Sequence, residues 1–222
     1  MGVGTVDAVL LDSGGVLIGP VGGRWNPRFD FEAIVRRWSG DVSDGLLATA
    51  IGHGDAFLAA ASGTPSRDSY HRAMLEVLDI DPSPGLLAEL DAPLEPASVV
   101  EPFAEVVEVL DELKARGLRL AVVSDAWPTL PELHAGVGLA GYFDAYAISS
   151  LVGCTKPDPR MYRHASDALG LLPARCLFVD DSPPLVEAAL DLGYQGVAVL
   201  RDGSRHDRVR SITDLRELLP LI

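Results

Sequence analysis

Short apolar runs that stop at polar residues recur along the chain. Val6 to Leu11 ends in Asp12 and is followed by Ser13, Gly14 and Gly15, which predicts a buried strand breaking into a tight turn. Leu118 to Val123 is a second such run. Before it, Glu101 to Arg116 carries Phe103, Val106, Val107, Leu110 and Leu113 at helical spacing and stops at Gly117. Phe143 to Ile148, Cys176 to Val179 and Val197 to Leu200 are further runs, separated by helical stretches from Pro159 to Leu169 and from Pro183 to Leu192. This alternation predicts an α/β fold, a doubly wound parallel sheet covered on both faces. Ser211 and Asp214 stand at capping-box spacing, so Ser211 to Leu218 is expected to form a closing helix.

The alternation lapses between Pro20 and Pro96. That stretch holds only helix-like patterns, at Phe29 to Trp38, Asp44 to Ile51, Asp55 to Ala61 and Ser66 to Leu78. Its borders are rich in turn residues, with Gly19, Pro20, Gly22 and Gly23 on one side and Pro93, Pro96 and Pro102 on the other. Residues 20–96 therefore read as a helical domain inserted after strand one, and residues 1–19 and 97–222 as the α/β core.

Composition narrows the function. With 222 residues, 48% of them apolar, the chain can bury a sizeable core and is not of the disordered class. A net charge of -14 argues against nucleic acid and anionic membranes as partners, and the inserted stretch alone has six Arg against twelve acids. Small or neutral partners fit better than a polyanion. No apolar run approaches the roughly 18 residues of a membrane helix. Two cysteines, with neither a basic nor an apolar segment in Met1 to Asp7, lead us to expect a cytoplasmic protein. Of the 18 basic residues only Lys114 and Lys156 are lysines.

In an open parallel sheet, ligands bind beyond the carboxyl ends of the strands. There the chain presents Asp12, Ser124, Lys156, and Asp180 with Asp181. Singly, each has a plain explanation as a helix cap, a turn residue or a solvated charge. Together they offer three carboxylates for a hard divalent cation, one of them free to attack, and a hydroxyl and an ammonium for an anion.

The ordered segments VLLDSGGVL (Val9 to Leu17), VVSDA (Val122 to Ala126), KPDP (Lys156 to Pro159) and FVDDSPPLVEAA (Phe178 to Ala189) resemble the haloacid dehalogenase superfamily of hydrolases. The resemblance implies a Rossmann-like core with a helical cap, and hydrolysis of small phosphomonoesters through an aspartyl-phosphate on Asp12 with Mg2+ as cofactor. By the same resemblance Lys156 neutralises phosphoryl charge, while Ser124 and the amides of Asp125 and Ala126 hold the phosphoryl group. Asp12, the Gly14 carbonyl, Asp180 and Asp181 are the implied metal ligands.

Three positions depart from the family pattern. Gly14 stands where the second acid of an Asp-x-Asp motif serves as general acid and base, a contribution of roughly 10²- to 10⁴-fold. The resemblance then implies slow turnover of poor leaving groups and less impairment on aryl phosphates. Asp125 follows the hydroxyl where Asn or Gly is common; it caps a local turn or supplies the missing proton relay. Leu185 replaces an Asn that often braces the last motif.

Other residues are assigned lesser roles. Arg24 is either a hinge cation in solvent or, with Trp25, swings over the site to read a substrate anion. His53, His71, His134, His164 and His206 lack metal-ligand spacing and are read as surface or locally hydrogen-bonded. Cys154 lies two residues from Lys156, a cation that would lower its thiol pKa. Arg201, Arg205, Arg208 and Arg210 alternate with acids as a solvated face. The rival functions are a metal-independent 2-haloacid dehalogenase, a phosphoryl transferase, and a catalytically degenerate binding or regulatory protein.

Overall fold

The structure is a computed structural model that describes residues 5–222; Met1 to Gly4, part of the leader reading, lie outside the described residues. The chain opens with β1 (Ala8–Leu11) and β2 (Ile18–Pro20), followed by α1 (Phe31–Ser39), α2 (Asp44–Ala60), α3 (Arg67–Val77) and α4 (Pro84–Leu90). Next come α5 (Pro96–Val99), β3 (Val100–Pro102), α6 (Val106–Ala115), β4 (Arg119–Ser124), α7 (Leu130–Gly136), β5 (Ala145–Ile148) and α8 (Ser149–Val152). The last elements are α9 (Pro159–Ala168), β6 (Cys176–Asp180), α10 (Pro183–Asp191), β7 (Gln195–Val199), β8 (Ser211–Ile212) and a 3-10 segment, Leu215–Leu221.

Among the described residues six strands form a parallel sheet in the order β5-β4-β1-β6-β7-β8. The period of two in a strand explains its two covered faces. Val9 and Leu11 of β1 join Val122, Val179 and the α6 residues Val106, Val109 and Leu110 on one side. Ala8 and Leu10 join Val123, Phe178, Met161 of α9 and Val186 of α10 on the other. Central β1 is apolar throughout because neither face meets water.

The first four helices have a separate core of Phe31, Ile34, Leu47, Tyr70, Met74, Leu86 and neighbours. Serine side chains cap three of them: Ser43, Ser66 and Ser83 accept from the amides of Leu46, Ser69 and Leu86.

Four expectations change. The patterns at Asp44 to Ile51 and Asp55 to Ala61 are one helix, α2, since Gly54 packs against α3 instead of breaking the turn. A Cβ there would meet Met74 at 2.8 Å and Tyr70 at 2.9 Å. Pro84–Leu90 is a helix that the apolar pattern did not reveal. Glu101 belongs to β3, which pairs antiparallel with β2, so the helix begins at Val106. The tail opens as strand β8 on β7, with Asp214 rather than Ser211 capping the 3-10 segment through Arg216.

Candidate active site

The sheet order sets β1 between β4 and β6, with Leu11 level with Val122 and with Val179. The residues that follow therefore meet at one edge. Lys156, from the loop after α8, reaches into that edge with its Nζ 2.8 Å from Asp12 Oδ1 and 2.7 Å from Asp180 Oδ2. Its side chain is only 2% exposed. Burial opposes the ammonium, but Asp12, Asp180 and Asp125 outweigh burial and hold its pKa above the ordinary range.

Asp180 is fully engaged: Oδ1 accepts from the Ser182 amide at 2.8 Å while Oδ2 accepts from Lys156. Burial first, then repulsion from Asp12, pushes its carboxyl above the ordinary carboxylate range against the pull of Lys156. One ammonium thus serves two buried acids, and a third is close by. Oxygens of Asp12, Asp180 and Asp181 lie within 4.8 Å of one another. Asp181 is likewise raised, by desolvation and then by Asp12.

Gly15 makes room for that third acid. Its φ is 73°, and a Cβ there would fall 2.0 Å from Asp181 Oδ2. Any other residue would be both strained and in collision with the carboxylate.

On the other flank Ser124 is buried at the end of β4. Asp125 Oδ1 accepts from the Lys156 backbone amide at 3.0 Å, so it braces the loop that delivers the lysine. The Ala126 amide is already engaged with Ser149 Oγ at 3.0 Å, and Ser149 also bonds Thr64. Of the proposed phosphoryl donors, Lys156 and Ser124 thus share the edge with Asp12, whereas the Ala126 amide is committed elsewhere.

Two supports carry no local sequence signal. His134 is fully buried, with Nε2 2.8 Å from Ser13 Oγ and Nδ1 3.1 Å from Tyr146 Oη. Burial lowers its pKa to about 4, so the ring is neutral and is no surface group. Arg201 leaves the solvated face expected for it: it donates to the carbonyls of Gly15 and Val16, both at 2.8 Å, and to Glu105 at 2.7 Å. Its guanidinium also lies 3.5 Å from the Phe103 ring centroid.

Two further expectations are corrected. Cys154 is buried, which pushes its thiol pKa up, where a nearby cation was expected to lower it. Arg24 is neither free nor swinging, since Glu32 accepts from it through both oxygens at 2.6 and 2.7 Å.

A parallel α/β sheet whose carboxyl edge gathers three carboxylates around a buried lysine defines a class of Asp-centred hydrolase sites. The chain belongs to the haloacid dehalogenase-like hydrolases, whose family model matches residues 6–193. It is 38% identical over 116 residues to a phosphoserine phosphatase of Thermus thermophilus, covering 51% of this chain and 46% of that protein. It is 32% identical over 126 residues to an (S)-2-haloacid dehalogenase of Pseudomonas sp. strain YL, covering 54% of each. The chain spans about half the length of these curated relatives. A crystal structure of a phosphatase of this family from Thermococcus onnurineus superposes with a TM-score of 0.67 at 22% identity, covering 97% of both chains, a likeness of fold.

Proposed function

We propose that the chain is a Mg2+-dependent phosphatase of small phosphomonoesters with Asp12 as nucleophile. The observation that carries this reading is the cluster of Asp12, Asp180 and Asp181 oxygens within 4.8 Å, one member accommodated only because residue 15 has no side chain. Hard oxygen donors in surplus over the local cation suit Mg2+. Asp12, Asp181 and the Gly14 carbonyl would hold the ion, with Asp180 contributing from its seat against Lys156. When bound, Mg2+ supplies charge neutralisation on the phosphoryl oxygens.

The protein's own residues then divide the work. An Asp12 oxygen bonds to phosphorus as the ester's phosphorus–oxygen bond breaks, and the electron pair leaves on the departing oxygen. Water attacks the aspartyl-phosphate, releasing phosphate, restoring Asp12 and giving a proton to solvent. Lys156 and Ser124 bind phosphoryl oxygens, Asp125 orients the lysine loop, and Asp180 holds the ammonium beside Asp12.

Residues 20–96 act as a cap in this reading. Support comes from Trp127 of the loop after β4, whose Nε1 donates to Pro65 at 2.8 Å, and from Arg67, which lies 4.8 Å from the Trp127 ring centroid. Two free, buried cysteines fit a cytoplasmic protein, and among the described residues no helix is long and apolar enough to cross a membrane.

A panel of phosphate esters assayed with and without Mg2+, with Asp12→Asn as control, tests the reading. Mg2+-dependent phosphate release that vanishes in Asp12→Asn is expected. Halide release from a 2-haloacid without metal would establish the dehalogenase instead, and wild type as inert as the control on every ester and haloacid would leave a binding protein.

A further inference from the structure

Gly14 and Gly15 are consecutive, yet the space beside each is filled differently. Asp181 fills it at Gly15. At Gly14 a Cβ would lie 3.1 Å from Trp25 Cζ2, 3.4 Å from Cη2 and 3.5 Å from Cε2, so the six-membered ring of the indole rests against the backbone. Gly14, unlike Gly15, does not have a positive φ, so its backbone admits any residue. The indole, and not strain, takes the side-chain space.

The loop that carries the ring is also held in place. Arg24, its neighbour, donates to the carbonyls of Pro27 at 3.0 Å and Arg28 at 2.8 Å in addition to Glu32, which fixes the loop. Trp25 nevertheless remains 46% exposed. A large aromatic surface is thereby left partly open beside Gly14, itself two residues along the chain from Asp12, on the side where a residue at position 14 would project.

We infer that Trp25 is a specificity-determining residue whose open indole face receives the aromatic leaving group of an aryl phosphate monoester. The inference rests on the phosphatase reading and gives it a substrate class. With glycine at position 14, no side chain there protonates the leaving oxygen as it departs with its electron pair. A phenolate, whose conjugate acid has a pKa of about 10, tolerates this, whereas an alkoxide, with a conjugate acid nearer that of water at about 15.7, does not. The same local change therefore removes the proton donor and supplies a flat wall on which a phenyl ring stacks.

The test is calorimetric titration of phenylphosphonate and of inorganic phosphate in the presence of Mg2+, followed by kinetics on phenyl phosphate and glycerol phosphate. Trp25→Ala is expected to weaken phenylphosphonate binding by about ten-fold and leave inorganic phosphate unchanged, while Trp25→Phe keeps most of the affinity. The kcat/KM ratio of phenyl to glycerol phosphate should fall with it, through KM. Gly14→Asp should raise glycerol phosphate turnover by about 10² or more in a Trp25→Ala background, and by less beside the intact indole.

Equal weakening of both ligands by Trp25→Ala, or of neither, overturns the role of Trp25, as does a gain from Gly14→Asp that is the same with and without Trp25→Ala. Wild type inert toward every phosphate ester overturns the phosphatase reading itself, and the substrate class with it. Turnover that proceeds with an unchanged aryl preference in Trp25→Ala sinks only the inference.

Discussion

The loop from Asp12 to Ile18 and the helices from Phe31 to Leu90 are held by different forces. Val16, Leu17 and Ile18 are anchored in the apolar core of the sheet, and the stretch from Asp12 to Val16 is fixed besides by polar contacts from distant segments. Ser13 meets His134, Gly15 and Val16 receive Arg201, Asp12 meets Lys156, and the Asp12 amide donates to Val179 at 2.9 Å. The helices are held mainly by an apolar core, and inside it Tyr70 Oη and His71 Nδ1 have no hydrogen-bond partner among the described residues. Apolar packing tolerates small shifts, while a network of short polar contacts has one arrangement. Geometry is therefore pinned at the loop that carries Asp12, and adaptability is left to the segment read as a cap.

The largest expected effect breaks the polar side of this contrast. Lys156→Met leaves Asp12 and Asp180 buried against each other with no cation, a change that typically costs about 3–5 kcal/mol. Urea unfolding at neutral pH should show a loss of unfolding free energy of that size, read as a lowered midpoint at unchanged slope. An unchanged midpoint would mean that the carboxylates are compensated by something other than Lys156.

A smaller effect is expected at Ser13 and His134. His134→Ala opens a cavity and strands the Ser13 hydroxyl, a loss of about 2–4 kcal/mol, whereas Ser13→Ala should cost about 1 kcal/mol. A double-mutant cycle isolates the bond between them, with a coupling of about 1 kcal/mol expected. Additive losses would show that His134 only fills space and does not fasten the loop after β1.

The sequence displayed one of these regions better than the other. Asp12, Ser124, Lys156, Asp180 and Asp181 were legible because each follows an apolar run, and a parallel sheet brings such ends together. His134 and Arg201 were not, since their partners lie 121 and 186 residues away and neither sits in a periodic pattern. Gly52 and Gly54 interrupted the helical pattern of α2 although Gly54 serves close packing, and β8 is specified by pairing to β7 more than by its own two residues. Trp25 had a local signal as an aromatic in a glycine-rich stretch, but only the fold sets it against Gly14.

The smallest effect sharpens the comparison from the helical side. His71 is 4% exposed, and burial lowers its pKa to about 4 from 6.5, with Arg67 and Arg28 opposing its charge and Asp91 and Asp68 favouring it. Between those two pH values the unfolded chain binds a proton that the folded chain refuses. Its contribution to stability is therefore complete above about pH 6.5 and is lost as pH falls toward 4, with a slope of up to about 1.4 kcal/mol per pH unit. His134 acts with the same sign and Asp180, raised rather than lowered, with the opposite one, so wild type alone cannot apportion the slope. His71→Gln removes one titrating group from the helices and leaves both others in place. Unfolding free energies of the two proteins at pH 7 and pH 5 should differ in slope by about one proton; parallel curves would show that water reaches His71 and that the helical core is looser than its packing implies.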